Sequence, residues 1–207
     1  MRLVDAVSLR SRRRKLALFT ETMRPTAETT VVDVGVDDSG FGEPDGNQGS
    51  CGTLNFFEEL YPWPERITAV GIHEGRRFAA RYAATRYVQA SALELPFEDG
   101  AFDVYFSNAV IEHVGPREAQ RRFVAEALRV APRVFITTPN RWFPIELHTR
   151  APLVHWLPDA AAHPAYDLIR KPWAKENHLL RPRDLRSLFP GEVRIVNLGM
   201  TLVAIVG

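Results

Sequence analysis

The chain has 207 residues, of which 45% are hydrophobic and 25% are charged, as is ordinary for one globular domain with a full core. Its 26 basic and 25 acidic residues leave a net charge of +1, so no overall field attracts it to nucleic acid or to a membrane surface. The expected partner is therefore a small molecule. The single cysteine, Cys51, excludes an intramolecular disulfide and a site made of several thiolates, and it fits a reducing cytoplasm.

The N-terminal segment, residues 1–28, is predicted to be helical and carries a basic cluster. The apolar run that follows the cluster, LALF, has only four residues, too few for the core of a signal peptide or a membrane span. We interpret the cluster as the solvated face of a helix, with a site for an anionic ligand or partner as the alternative. Its members are Arg10, Arg12, Arg13, Arg14 and Lys15.

Short β-branched runs alternate with helical patterns along the rest of the chain. The runs are TTVVDVG, ERITAVGI, TRYVQA, AFDVYFSN and PRVFITT, and their alternation with helices predicts a parallel sheet of βαβ units. Helices are predicted over residues 54–61, 74–84 and 116–131. Two final runs, EVRIVNLG and MTLVAIVG, meet at Gly199 and predict a closing hairpin.

Two long segments interrupt this order within what we predict to be a single domain, residues 1–207. Six of the 13 glycines lie between Gly35 and Gly52, and residues 36–52 are predicted to form a loop that closes over a cofactor, with disorder as the alternative. Residues 140–182 are rich in Pro, His and Trp without a long periodic pattern. We predict that they form a lid that contacts the substrate.

The motifs VVDVG, ITAVGI and LELPFEDGAFDVYFSNAVIEHV resemble those of class I S-adenosylmethionine-dependent methyltransferases, in particular the type 11-like members. The most specific part is LPF followed by FD and then by Asn108 and Glu112-His113. The resemblance implies a Rossmann-like α/β fold with a mostly parallel seven-stranded sheet, an antiparallel last strand and helices on both faces. It also implies that S-adenosylmethionine lies across the C-terminal ends of the first strands.

The resemblance assigns cofactor contacts to particular positions. Asp33 and Gly35 match the start of the glycine-rich motif around the methionine end of the cofactor. Asp37 and Ser39 stand where further glycines are usual, and Gly71 stands where an acidic residue normally holds the ribose.

Nearby residues can replace the missing contacts. Ser91 stands where an acidic residue usually reads the adenine, and its hydroxyl and the backbone N–H groups after it can bind the adenine edge. Glu74 can reach the ribose, and Asp37 can pair with the ammonium, with solvated loop charges as the alternative. The residues predicted to bind the cofactor are Asp33, Gly35, Asp37, Ile72, Glu74, Ser91, Ala92, Leu93 and Asn108.

Methyl transfer from a sulfonium is an in-line displacement, so positioning and exclusion of water matter more than acid–base groups. If the acceptor is a hydroxyl, a neutral imidazole can take its proton. His148 is the preferred base and His113 the second candidate, and a structural role is the alternative for both.

The predicted lid also supplies candidates for contact with the substrate. Arg141, Trp142 and Trp156 are predicted to form a wall of the substrate pocket. His148 and His155 are seven residues apart, a poor spacing for metal ligands, so no metal is predicted.

The leading hypothesis for the function is S-adenosylmethionine-dependent methyl transfer to a small molecule, with O-methylation slightly favoured over N-methylation. One alternative is a non-catalytic methyltransferase-like partner or regulator. The other is an enzyme that uses this fold for a different reaction. The sequence does not determine the oligomeric state.

Overall fold

The fold was taken from a computed structural model, which describes residues 3–38, 55–146 and 148–207, with side chains from Leu9 onward. The described helices are α1 (Leu3–Met23), α2 (Phe56–Leu60), α3 (Arg76–Arg81), α4 (Arg117–Val130), α5 (Asp159–Leu168) and α6 (Pro182–Arg186). The described strands are β1 (Val31–Val34), β2 (Ile67–Gly71), β3 (Arg86–Gln89), β4 (Val104–Asn108), β5 (Arg133–Pro139), β6 (Arg194–Asn197) and β7 (Thr201–Val206).

The seven strands form one sheet in the order β3-β2-β1-β4-β5-β7-β6. Strands β1 to β5 are parallel, and β7 runs antiparallel to both β5 and β6. This architecture confirms the predicted Rossmann-like α/β fold with its antiparallel last strand and closing hairpin. The strand order reverses between β1 and β4, and ligands of open α/β sheets bind at such a reversal, outside the carboxyl ends of the strands.

Alternate residues of β1 face opposite sides of the sheet, as the two-residue period of a strand requires. Val32 and Val34 pack in the core between the sheet and α4. Val31 packs in the core on the other face, between the sheet and helices α1 and α2. Because helices cover both faces, the central strands consist almost entirely of buried residues.

Helix α1 is part of the domain core. Phe19 is fully buried, and its ring makes edge contacts with Phe57, Phe106 and Phe135 at centroid distances of 5.1, 5.5 and 5.4 Å. Edge-to-face contacts of this kind are favourable beyond the burial of area. The helix therefore closes one face of the sheet.

The structure corrects two predictions about individual segments. Lys15, predicted to lie on a solvated face, is only 8% exposed. The predicted lid contains the ten-residue helix α5, which the sequence pattern did not indicate because Pro164 lies inside it. The predicted glycine-rich loop, including Ser39 and Cys51, falls mostly outside the described residues. No helix in the described part of the chain is long and apolar enough to cross a membrane.

Replacement of Phe19 by alanine should lower the free energy of unfolding by about 3–5 kcal/mol, because it leaves a cavity among three other aromatic rings. Leu9→Ala, at a 36% exposed position of the same helix, is the matched control and should cost less than about 1 kcal/mol. Denaturant unfolding at constant pH measures both changes. Equal costs for the two variants would show that α1 is not part of the core.

Candidate functional site

A cleft of about 620 Å³ opens at the carboxyl ends of β1, β2 and β4. Seven of the nine residues predicted to bind the cofactor line it, together with both predicted catalytic histidines. The exceptions are Asp33 and Glu74. The predicted residues in the lining are Gly35, Asp37, Ile72, Ser91, Ala92, Leu93, Asn108, His113 and His148.

Gly35 forms the turn that leaves β1 at the floor of the cleft. Its φ is +102°, and a Cβ atom there would lie 2.1 Å from Cγ2 of Val110. Its N–H donates to the carbonyl of Val70 across the sheet at 2.8 Å. Only glycine combines this backbone conformation with so close an approach of the segment after β4.

The end of β2 differs from the arrangement expected from the sequence. A Cβ atom at Gly71 would lie 2.4 Å from the Tyr87 hydroxyl, so Gly71 is not a position that an acidic ribose contact can occupy. That hydroxyl donates to the carbonyl of His73 at 2.6 Å. The residues after β2 that line the cleft are Ile72 and His73. Glu74 is not among the lining residues of the cleft and pairs with Arg76 at 2.7 Å, with both side chains mostly in solvent, so its contact with the ribose stays a prediction.

The turn after β3 forms the opposite wall of the cleft. The Leu93 N–H donates to the Ser91 hydroxyl at 3.2 Å and so is already used within the turn, contrary to its predicted contact with adenine. The Ser91 hydroxyl accepts this bond and retains its own hydrogen for donation.

The segment after β1 is held by side chains rather than by glycines. The Asn55 side chain accepts from the Asp37 N–H at 2.9 Å and donates to the Asp37 carbonyl at 2.7 Å. The Asp38 carboxylate accepts from the Phe78 N–H at 2.6 Å in the first turn of α3. These bonds fix the course of the chain beside the cleft.

Asp33 lies behind the cleft, opposite Glu58 of α2, because the alternation along β1 directs it toward that helix. Both carboxyl groups are buried. Burial raises the pKa of Glu58 to about 7. Burial, together with the neighbouring Glu58, raises the pKa of Asp33 well above its usual value. The pair therefore retains a proton at neutral pH.

Lys15 is a site residue that the sequence analysis missed. Its ammonium donates to the Asn108 side-chain oxygen at 2.5 Å and lies 5.1 Å from the centre of the Phe56 ring. The Thr137 hydroxyl donates to the same oxygen at 2.9 Å. Burial, followed by the charge of Arg12, lowers the pKa of Lys15 to about 8. The sequence signal that could have indicated its burial is its position four residues before Phe19, because this spacing places both side chains on one face of the helix.

The two predicted catalytic histidines meet at one end of the cleft. Their Nε2 atoms are 3.2 Å apart, and Oε1 of Glu112 lies 3.8 Å from each of them. Glu112, which was quoted within a motif but given no role, belongs to this cluster. The prediction that no metal binds rested on the spacing of His148 and His155. The structure instead groups His148 with Glu112 and His113, whose candidate ligand atoms all lie within 4.8 Å of one another.

Burial sets the electrostatics of this cluster. It raises the pKa of Glu112 to about 7, and burial with the adjacent His148 lowers the pKa of His113 to about 4. Burial also opposes the charged form of His148, but the hydrogen bond to Glu146 and the nearby carboxylates raise its pKa above the usual value. Its Nδ1 lies 2.7 Å from Oε1 of Glu146.

The three predicted substrate residues of the lid do not line the cleft, which corrects that assignment. The indole N–H of Trp156 donates to the Arg141 carbonyl at 2.7 Å, and the ring packs edge-on against Trp142. Arg141 lines a second cavity, of about 480 Å³. Within the described ranges, the lid reaches the cleft through His148. The Nε2–H group of His155 donates to the Phe143 carbonyl at 2.9 Å.

Solved structures with the same fold cover nearly all of the chain. The PH0226 protein from Pyrococcus horikoshii OT3 is 16% identical, with a TM-score of 0.57 over 96% of this chain and 90% of that one. The N-methyltransferase NodS from Bradyrhizobium japonicum WM9, in complex with S-adenosyl-L-homocysteine, is 13% identical, with a TM-score of 0.57 over 94% and 85%. The [4+2]-cyclase SpnF is 13% identical, with a TM-score of 0.55 over 91% and 61%. At these identities the likeness establishes the fold.

A family model described as a methyltransferase domain matches residues 48–133. The match begins after β1 and extends to the start of β5, so it includes β2, β3 and β4 and the cleft-lining turns that follow them, but not the turn after β1 or His148. Over these residues the chain is similar to a methyltransferase domain. The cleft at the reversal of the strand order is the candidate active site.

The buried pair of carboxyl groups, Asp33 and Glu58, predicts a pH-dependent stability. A carboxyl group whose pKa is higher in the folded than in the unfolded state stabilises the fold at a pH below its unfolded-state pKa. This stability is lost as the pH rises through the folded-state pKa. For Glu58 this window runs from the ordinary 4.5 to about 7. The free energy of unfolding of Glu58→Gln, measured relative to wild type, should therefore rise by about 2–3 kcal/mol between pH 5 and pH 8.

Denaturant unfolding at the two pH values gives this difference. The exposed Glu65→Gln is the matched control, because it makes the same replacement at the surface. A Glu58→Gln difference that changes with pH no more than the Glu65→Gln difference would contradict the assignment of the buried pair.

Proposed function

We propose that the protein binds S-adenosylmethionine in the cleft and transfers the methyl group to a hydroxyl oxygen of a small-molecule acceptor. The observation that carries the proposal is that one continuous cleft joins the turns after β1, β2 and β3 to the cluster of Glu112, His113 and His148. A volume of about 620 Å³ is in the range of small-molecule sites.

The shape of the cleft suggests how the cofactor lies. Ile72 is 69% exposed and lines the cleft, as does Ser91, and the two residues follow the neighbouring strands β2 and β3. We infer that they border a slot with one apolar wall. We assign the adenine to this slot because a flat aromatic ring suits an apolar wall with one hydroxyl at its edge. The methionine end then lies over Gly35, beside Asp37 and Asn108.

The histidine cluster supports oxygen as the acceptor atom. In the transfer, an oxygen lone pair forms the bond to the methyl carbon, and the electrons of the broken carbon–sulfur bond pass to sulfur, which becomes a neutral thioether. The hydroxyl must also lose its proton. Two groups that can assist this loss, His113 and His148, line the same cleft, and we infer that the acceptor meets the methyl group beside them.

The two alternatives to methyl transfer differ in their support. SpnF, a cyclase, has the same fold, so the fold alone does not specify the chemistry. The match to the methyltransferase domain model favours methyl transfer over the cyclase reaction and over a non-catalytic role.

Ile72→Ala should weaken the binding of S-adenosyl-L-homocysteine by about tenfold, because it removes the apolar wall of the adenine slot. Leu168→Ala is the matched control, since Leu168 is 84% exposed and lies outside the cleft, and its affinity should equal that of wild type. Isothermal titration calorimetry measures all three proteins. Absence of binding to wild type at millimolar concentration would overturn the proposed function.

A further inference from the structure

We propose that Glu112, His113 and His148 form a binding site for a divalent metal ion of the zinc type at the acceptor end of the cleft. The site itself does not depend on the proposed methyl transfer, but its suggested role there does. The three residues come from the turn after β4 and from the lid, so the fold brings together segments that are far apart in the chain.

The separations of the three candidate ligand atoms suit one metal ion. The two histidine Nε2 atoms are 3.2 Å apart, and Oε1 of Glu112 is 3.8 Å from each. A point equidistant from all three lies about 2.1 Å from each atom, in the range of zinc–nitrogen and zinc–oxygen bonds. Small outward shifts of the side chains would allow a pyramidal arrangement with an open side.

Glu112 provides an independent indication that a cation belongs at this point. Its side chain is fully buried, and Oε1 has no hydrogen-bond partner among the residues that the structure describes, whereas Oε2 accepts from the Thr138 hydroxyl at 2.9 Å. A buried carboxylate oxygen without a partner is costly. The nearest ring nitrogens to this oxygen are those of the two histidines, and a shared metal ion would satisfy all three atoms.

The surroundings orient His148 as a metal ligand. Glu146 lies 2.7 Å from Nδ1 of His148 and is itself fixed by the backbone N–H groups of His148 and Thr149 at 3.0 and 2.5 Å. A carboxylate at Nδ1 places the hydrogen there and leaves the lone pair of Nε2 directed at the cluster.

The donor set indicates the class of metal. Two imidazoles and one carboxylate suit zinc and neighbouring transition metals, whereas magnesium and calcium prefer oxygen ligands alone. Three protein ligands leave at least one position open, and both histidines line the cleft. A hydroxyl oxygen bound at that position would release its proton to water more readily, keep the electron pair, and then attack the methyl carbon.

The first experiment measures metal binding without cofactor or acceptor. Protein treated with EDTA and then freed of chelator is titrated with Zn²⁺ by calorimetry, and Co²⁺ is added separately to follow its visible absorption. Wild type should bind one equivalent of Zn²⁺. Glu112→Gln and His148→Ala should each weaken binding by at least tenfold, because each removes one of the three ligands.

His163→Ala is the matched control, since His163 lies on α5 outside the cleft, and its Zn²⁺ affinity should equal that of wild type. Circular dichroism checks the fold of each variant, and the partly exposed His148 keeps the test valid if Glu112→Gln fails to fold. Failure of wild type to bind one equivalent, or wild-type affinity in His148→Ala, would overturn the metal site.

Titration of the same EDTA-treated protein with S-adenosyl-L-homocysteine separates the two proposals. Zinc binding without binding of the cofactor product would leave the metal site and remove the proposed methyl transfer. If the protein binds the cofactor product but does not bind zinc, the metal site is removed and the proposed methyl transfer remains.

Discussion

The parallel pairing of β1 with β4 is the constraint on which the rest of the site depends. β1 also pairs with β2, and β4 also pairs with β5, so the chain leaves the two central strands toward opposite edges of the sheet. The connections therefore diverge and leave a space above their carboxyl ends that none of the described helices fills. Gly35 and Val110, at the two exits from these strands, are in contact at the floor of that space.

Helices on both faces of the sheet exclude water from the polar groups at its centre. Asp33 faces Glu58, Lys15 faces Asn108, and Glu112 lies behind the two histidines. Each of these groups would be solvated on an isolated strand or helix. Buried together, they have shifted pKa values, and their protonation depends on their neighbours. Clusters of this kind are concentrated at functional sites, and here they surround the carboxyl ends of β1 and β4.

The lid contributes to the site through a histidine rather than through the aromatic and basic residues that its composition suggested. Trp142 and Trp156 pack against each other, the Trp156 indole donates to the Arg141 carbonyl, and Arg141 lines a separate cavity. His148 is the lid residue in the described cleft lining, and Glu146 holds it from the same turn. The lid thus completes the polar cluster at the acceptor end, whereas the cofactor end is built from the strand termini.

The sequence by itself determined the strands, helix α4, the closing hairpin and the family motifs, because each is a pattern within one short segment. Burial of alternate or successive β-branched residues depends on that segment alone. Only the tertiary structure decided that Lys15 turns inward, that Tyr87 occupies the space beside Gly71, and that His148 meets Glu112 and His113. These facts depend on distances between segments many residues apart, and local patterns do not contain such distances.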